Sequence, residues 1–181
     1  GGDLAIGAFG IVNRLVFIVV MIVMGLNQGM QPIAGYNFGA KLYGRVNKVL
    51  RLTIIYATAV TTFGFLVGML VPDLVVGIFT SDAELTELSV TGLRITVMFF
   101  PIIGFQMVTS NFFQSIGMAG KAIFLSLTRQ MLILLPCLLV LPQFFGVAGV
   151  WYSMPVSDLL ASLIALVMLV CQFRKFRTSP L

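Results

Sequence analysis

Apolar residues dominate five long stretches of the chain, and each stretch has the length of a membrane-spanning helix. The stretches lie at 8–33, 49–79, 88–116, 122–142 and 146–172. About 20 helical residues cross a hydrocarbon core of ~30 Å. Segments such as "LVFIVVMIVMG" and "LILLPCLLVL" are apolar on every side, whereas the strands of membrane barrels alternate between apolar and polar positions. The pattern therefore predicts an all-α integral membrane protein with five transmembrane helices.

Composition supports the same class of protein. Hydrophobic residues make up 59% of the chain and charged residues 9%, with a mean hydropathy of +1.08. A soluble domain carries about 25% charged residues. The composition excludes an ordinary soluble domain, and the lipid bilayer is the expected environment.

The net charge of +5 is explained by topology, because only alternate loops carry basic residues. Loop 80–87 contains only acidic charges, whereas the basic loops, by the positive-inside rule, face the cytoplasm. We therefore predict a plasma (inner) membrane protein with loop 36–48 cytoplasmic, loop 80–87 extracytoplasmic, the N-terminal end outside and the C-terminus cytoplasmic. No nucleic-acid site is predicted. Nine of the eleven basic residues follow span one, begin span four or follow span five: Lys41, Arg45, Lys48, Arg51, Lys121, Arg129, Arg174, Lys175 and Arg177. Arg14 and Arg94 lie within spans one and three, where we expect them nearer the outer surface.

The beginning of the sequence suggests that a preceding segment is missing. Its first residues, "GGDL", include neither a start methionine nor a basic signal region. An outside N-terminal end predicts at least one upstream helix, with Gly1 and Gly2 in the turn that follows it.

A group of amides lies near the inner end of span one. Asn27, Gln28 and Gln31 occupy neighbouring parts of one helix face. Unsatisfied polar groups are costly in lipid, so this face should meet another helix or a water-filled cavity. Hydrogen bonding between helices and cavity lining both remain open. Pro32 and Gly35 are expected to bend or end the helix.

Span three carries a second polar face, which is larger than helix packing usually requires. Pro101, above it, removes one backbone hydrogen bond and predicts a kink. Cavity lining is favoured here over hydrogen bonds between helices. The polar residues are Gln106, Thr109, Ser110, Asn111 and Gln114.

Asp158 is the one acidic residue expected deep within a span. It lies twelve residues beyond Gly146, or about 18 Å into a ~30 Å core. Arg129, eight residues beyond Lys121, reaches a similar depth on the preceding helix, about 12 Å from the inner face. An intramembrane carboxylate is a functional candidate by default. The two residues predict either a static ion pair or a proton- or cation-sensitive switch, and Ser157 and Ser162 could extend either network.

Several other chemistries are disfavoured. The chain has no histidine, no G-x-x-x-x-G-K-[ST] phosphate loop and no acidic cluster, so no enzyme activity, metal or cofactor is predicted. Cys137 and Cys171 lie at different depths and should be free thiols. Gly64 and Gly68 form a G-x-x-x-G pattern, which favours close helix packing in span two.

The order of these motifs closely resembles the C-terminal half of multidrug and toxic compound extrusion (MATE) transporters, nearest the bacterial drug/sodium antiporter and DNA-damage-inducible branches. The resemblance covers nearly the whole chain. Four segments carry it: "GLNQGMQPIAGYNFGAK" at 25–41, "IFTSDAE" at 78–84, "FFQSIGMAGKA" at 112–122 and "FGVAGVWYSMPVSDLLA" at 145–161.

The resemblance implies most of one six-helix lobe, helices eight to twelve, of a twelve-helix secondary active transporter. Such proteins exchange a cationic or amphipathic small molecule for H⁺ or Na⁺ through a cavity between two lobes. The chain is then expected not to transport without the missing N-terminal lobe. The family's coupling carboxylates lie in that lobe or on helices seven and ten, but span three has no acid. Asp158 is therefore a candidate on burial alone.

Two other functions remain. A flippase for lipid-linked oligosaccharides, from the same superfamily, would need a larger and more cationic cavity. A non-transporting membrane subunit or fragment is the second. The order of the motifs favours the drug exporters.

Overall fold

The computed structural model describes the backbone of residues 2–178 and the side chains of residues 2–175, and all regular structure within them is helical. Gly1 and the side chain of Arg177, both used in the topology prediction, lie outside the described residues. The elements are α1 (Gly2–Gly39), α2 (Tyr43–Leu70), α3 (Pro72–Gly77), α4 (Ala83–Val97), α5 (Phe100–Ser115), α6 (Ala119–Leu127), a π-helical segment (Thr128–Leu134), α7 (Leu135–Phe145) and α8 (Val147–Thr178).

These elements provide up to five membrane spans, so the predicted all-α membrane fold is confirmed. Four continuous helical stretches are long and apolar enough to cross a bilayer: α1, α2, Ala119–Phe145 and Val147–Lys175. The fifth span is the pair α4 and α5, whose axes differ by 54°. Pro101 lies in the first turn of α5, where a missing N–H costs no helical hydrogen bond. The predicted kink is present at the break between α4 and α5, but not through the lost hydrogen bond that the sequence predicted.

Helix α1 extends further than the sequence suggested. It begins at Gly2, so Gly2 is helical rather than part of a turn, and it continues through Pro32 to Gly39. The helix ends where Lys41 adopts a φ of 58°. The N–H groups of Lys41 and Leu42 donate to the carbonyls of Phe38 and Asn37, which is the Schellman pattern that satisfies terminal carbonyls.

The predicted polar connection over 36–48 must therefore be corrected. Only residues 40–42 lie between the two helices, because α1 contributes residues to Gly39 and α2 starts at Tyr43. The sequence signal was misleading because tyrosines, asparagines and basic residues at the ends of two long helices resemble a loop in composition.

The span predicted over 49–79 is divided near its end. Helix α2 stops at Leu70, and the short helix α3 begins at Pro72. Val71, between them, has φ −132° and ψ 44°, since a residue before proline avoids the helical region.

Helices α1 and α5 run parallel in a fixed register. Gln31 contacts Asn111, and the backbone of Gly35 approaches the Ser115 carbonyl so closely that an added Cβ would lie 2.8 Å from it. The register positions the amide-bearing end of α1 beside the polar end of α5.

Glycines permit the closest contacts of α2. A Cβ on Gly64 would lie 3.0 Å from Val19 of α1, and one on Gly68 would lie 2.9 Å from Val97 of α4. The G-x-x-x-G prediction of close packing is confirmed. Cys137 and Cys171 are free thiols, as expected.

A tight turn joins α7 to α8. Gly146 has a φ of 60°, which favours glycine. A Cβ on Gly149 would lie 2.4 Å from the Leu141 carbonyl group, so only glycine fits this crossing. Trp151, the next large side chain, is buried against Gly92 of α4 and the Phe9 ring of α1. The turn fixes α8 against the π-helical segment and α7.

Candidate functional site

An ion pair joins the π-helical segment to α8. The Nη2 and Nε atoms of Arg129 lie 2.8 Å and 2.9 Å from the same carboxylate oxygen, Oδ1 of Asp158. The Asp158 side chain is 6% exposed and the Arg129 side chain 32% exposed. The pairing expected from helical depth is confirmed. Asp158 is the one charged residue that is buried among residues 2–175.

The π-helical geometry coincides with the arginine of the pair. Thr128–Leu134 has i→i+5 hydrogen bonding, and the N–H of Leu135 still donates to the Gln130 carbonyl five residues back. Pro136 follows at once and has no N–H to donate. Single-turn π segments inside α-helices are rare and occur frequently at functional sites. No local sequence pattern predicted this segment.

The neighbouring serines do not extend the ion pair through their hydroxyl groups. The hydroxyl of Ser157 donates to the Met154 carbonyl at 2.9 Å, and that of Ser162 donates to the backbone carbonyl of Asp158 at 2.6 Å. Both serines therefore satisfy the backbone of α8, which corrects the predicted side-chain network.

A cavity of about 250 Å³ opens beside the ion pair. Its walls come from α1, α4, α5, the π-helical segment and α8. Apart from the ion pair, Thr96 and Ser157, every lining side chain is apolar: Val16, Val20, Met24, Phe100, Ile103, Met107, Leu134 and Met154. The cavity combines one buried carboxylate with walls formed by methionine, aliphatic and phenylalanine side chains.

Among these lining residues, the sequence patterns described above identified only the ion pair and Ser157. The α1 residues Val16, Val20 and Met24 recur at every fourth position, which indicates one helix face. That spacing could have pointed to a shared surface, but it does not separate a cavity wall from ordinary packing.

The amides of α1 occupy three different environments. Gln28 is exposed, whereas Gln31 donates from Nε2 to Oδ1 of Asn111 at 3.0 Å. Asn27 is buried, and neither of its side-chain polar atoms has a hydrogen-bond partner among the described residues. The Gln31–Asn111 bond is the contact between helices that the sequence left open as one alternative.

The polar residues of α5 are also divided. Gln106 and Thr109 are buried. The Thr109 hydroxyl donates to the Phe105 carbonyl at 2.8 Å, and Oε1 of Gln106 has no partner among the described residues. Ser110 and Gln114 line a separate groove of about 310 Å³ against α6. The structure therefore does not bring the eight predicted polar residues into one cavity.

A second polar contact links the N-terminal end of α6 to the C-terminal part of α8. Lys121 donates from Nζ to Oε1 of Gln172 and lies over the Phe113 ring, 5.2 Å from its centroid. This contact and the Arg129–Asp158 pair hold α8 at two levels along the same neighbouring span.

Comparison with known proteins assigns this arrangement to a family. The sequence model of the MatE family matches residues 2–139. This chain belongs to the MatE family. The multidrug export protein MepA of Staphylococcus aureus (strain MSSA476) is 28% identical over 165 residues, which is 91% of this chain and 36% of MepA. The chain thus spans little more than a third of the length of the curated relatives that it matches.

Solved structures of MatE-family transporters have the same fold. The MATE multidrug transporter DinF-BH is 37% identical, with a TM-score of 0.87 over 99% of this chain and 40% of that one. A mutant of the Vibrio cholerae MATE transporter VcmN is 21% identical, with a TM-score of 0.88 over 96% of this chain and 40% of that one. The MatE family consists of transporters rather than enzymes.

Proposed function

We propose that this chain forms most of one lobe of a secondary active multidrug efflux transporter. The transporter would export organic cations or amphipathic drugs in exchange for H⁺ or Na⁺, together with an N-terminal lobe. The observation that carries the proposal is 37% identity, over 99% of this chain, to a MATE multidrug transporter. The similarity to MepA, named a multidrug export protein, favours the same function over oligosaccharide flipping.

The proposed orientation places the α1–α2 turn and the C-terminal end in the cytoplasm, and the N-terminal end outside. Basic residues support it, because Lys41 lies in that turn and Lys121 contacts α8 near its C-terminal end. The α3–α4 connection at the other end carries the acidic residue Asp82, and Glu84 lies in the first turn of α4. This asymmetry is the one expected of a plasma membrane protein.

The Arg129–Asp158 pair is the proposed transport or coupling element of this lobe. Its support is burial of a carboxylate inside a span together with an adjoining cavity. We assign the polar residues of α1 and α5 that are not buried a secondary role in lining the solvent path of the assembled transporter: Gln28, Gln31, Ser110, Asn111 and Gln114.

Drug efflux from cells tests the proposal. The natural polypeptide that contains this sequence would be expressed in a strain that lacks its own exporters, and the efflux of a fluorescent lipophilic cation would be followed after energisation. Asp158→Asn should abolish ion-driven efflux, whereas Glu87→Gln, which removes an exposed carboxylate on α4, should leave it unchanged. Membrane protein level and thermal stability would be measured for each variant.

The outcomes separate the two parts of the proposal. Absence of efflux by the natural polypeptide, with every tested cation, would refute the transporter function. Full efflux by a stably expressed Asp158→Asn variant would leave the function intact and reduce the ion pair to a structural role.

A further inference from the structure

We propose that Asp158 is a binding site for a compact lipophilic monocation, and that the Arg129 guanidinium occupies this site until the ligand displaces it. The proposal deepens the proposed function, on which it rests for the role of the cavity. It assigns to one carboxylate two alternative cations, one tethered to the protein and one that arrives from the membrane or from solution.

The chemistry of the cavity indicates a cation with apolar substituents. Phe100, Met24, Met107 and Met154 line it, and Asp158 is its one anionic group. Aromatic faces attract cations, especially quaternary ammonium groups, and the methionine thioether adapts to different apolar shapes.

The hydroxyl groups of the cavity do not compete with the carboxylate for this role. The Thr96 hydroxyl donates to the Gly92 carbonyl at 2.8 Å, and the Ser157 hydroxyl donates to the Met154 carbonyl. Each is committed to its own helix. The negative charge of Asp158 therefore dominates the polar character of the site.

The size of the cavity limits the ligand. Its volume of about 250 Å³ exceeds the ~150 Å³ that accommodates benzene and falls below the ~300–1,000 Å³ of pockets for drug-sized molecules. An aromatic ring that carries a small quaternary ammonium group matches this range.

The unequal burial of the two partners makes Arg129 the one that can leave. Its side chain is 32% exposed, whereas that of Asp158 is 6% exposed, so the guanidinium has room to withdraw from the pair and the carboxylate does not. A buried charge without a partner is strongly unfavourable. Departure of Arg129 must therefore be linked to the arrival of another cation.

The local backbone also favours movement of Arg129 rather than Asp158. Arg129 lies within the π-helical segment, whereas Asp158 lies in helix α8, which is fixed by the tight turn at Gly146 and the close crossing at Gly149. A change from π-helical to α-helical hydrogen bonding would rotate the arginine relative to α7 without breaking the span.

Binding of two matched probes tests the displacement. Benzyltrimethylammonium and its neutral carbon isostere, neopentylbenzene, have the same shape and differ in charge, and neither has a titratable proton. Their affinities would be measured on the purified natural polypeptide in lipid nanodiscs, for the wild type, Asp158→Asn, Arg129→Gln and the double variant Asp158→Asn/Arg129→Gln.

Arg129→Gln should bind the charged probe at least about tenfold more tightly than the wild type, because Arg129 occupies the carboxylate of the wild type for more than about nine-tenths of the time. The affinity for neopentylbenzene should change less than twofold. Asp158→Asn and the double variant should lose the preference for the charged probe. Unchanged affinity of Arg129→Gln, or a charge preference that persists in Asp158→Asn, would overturn the proposal.

The double variant keeps the test decisive if Arg129→Gln alone does not fold, because it leaves no unpaired charge. In that case the wild type should prefer the charged probe and the double variant should not, and equal preference in both would refute the site. Efflux without charge-selective binding would contradict only this inference. Charge-selective binding without efflux would contradict only the transporter function.

Discussion

Substitution of Gly104 by alanine tests the closest approach between α2 and α5. An added Cβ at this position would lie 2.8 Å from the Ala57 carbonyl oxygen and 2.8 Å from Oγ1 of Thr61. Ordinary van der Waals contacts of a Cβ atom begin at 3.4 Å. Because the Ala57 carbonyl belongs to the backbone and cannot rotate away, the two helices would have to separate by about half an ångström.

The expected cost follows from two opposing terms. Overpacking of a core costs about 1–3 kcal/mol, and a rigid backbone neighbour places Gly104→Ala near the upper end. Replacing a helical glycine by alanine returns about 1 kcal/mol. We expect a net loss of about 1–2 kcal/mol in the free energy of unfolding. Gly29→Ala is the matched control, since no atom lies within 4 Å of its added Cβ, and it should be neutral or stabilising by up to about 1 kcal/mol.

Unfolding in mixed micelles of mild detergent and SDS would measure both variants. The fluorescence of Trp151, the single tryptophan of the chain, reports the contact of α8 with α4 and α1. A second substitution, Thr61→Ala, removes one of the two obstructing atoms and should restore part of the loss. If Gly104→Ala and Gly29→Ala differed by less than about 0.5 kcal/mol, the packing argument would be wrong.

Two further stability predictions concern the C-terminal hairpin. In the same unfolding assay, Arg129→Gln should lower the free energy of unfolding by about 3 kcal/mol and Asp158→Asn by about 1 kcal/mol, because Arg129→Gln leaves the more buried of the two charges without a partner. The double variant should recover most of the loss. The opposite order of the two single variants would refute this reasoning. Gly149→Ala should sharply reduce folded yield and protease resistance, because its Cβ would lie 2.4 Å from the Leu141 carbonyl carbon and oxygen. Gly120→Ala, which meets no atom within 4 Å, should behave as wild type, and equal behaviour of the two variants would show that the hairpin can open.

The sequence predicted the spans and the ion pair because both depend on simple helix geometry. A rise of about 1.5 Å per residue places Arg129 and Asp158 at one depth, and burial of a lone carboxylate demands a partner. The kink near Pro101 and the close packing of Gly68 follow equally from local rules.

The ends of α1 and α2 were harder to predict, because proline has several outcomes in a long helix. Pro32 lies inside α1, whereas Pro72 starts α3 after a break. Helices in a membrane tolerate internal proline when neighbours satisfy the freed carbonyl. That choice depends on tertiary contacts such as the Gly35–Ser115 approach, which no local pattern reveals.

The polar faces of α1 and α5 were identified, but their partners were not. Gln31 and Asn111 form a hydrogen bond with each other. Asn27 and Gln106 are buried, and each has at least one side-chain polar atom without a hydrogen-bond partner among the described residues. Residues on one face of one helix can meet different neighbours, since helices cross at an angle. Period and spacing alone therefore cannot decide between packing and cavity lining.

The short turn between α7 and α8 has a consequence for biogenesis. A carboxylate at the centre of a lone helix costs about 2.5–3.5 kcal/mol during insertion, and an arginine costs a similar amount. Because a short turn at Gly146 and the close crossing at Gly149 hold the two helices in direct contact, Arg129 and Asp158 can leave the translocon as a neutral pair. The hairpin, rather than each helix alone, is then the unit that enters the lipid, and a longer linker at this turn would expose both charges to the bilayer before they meet.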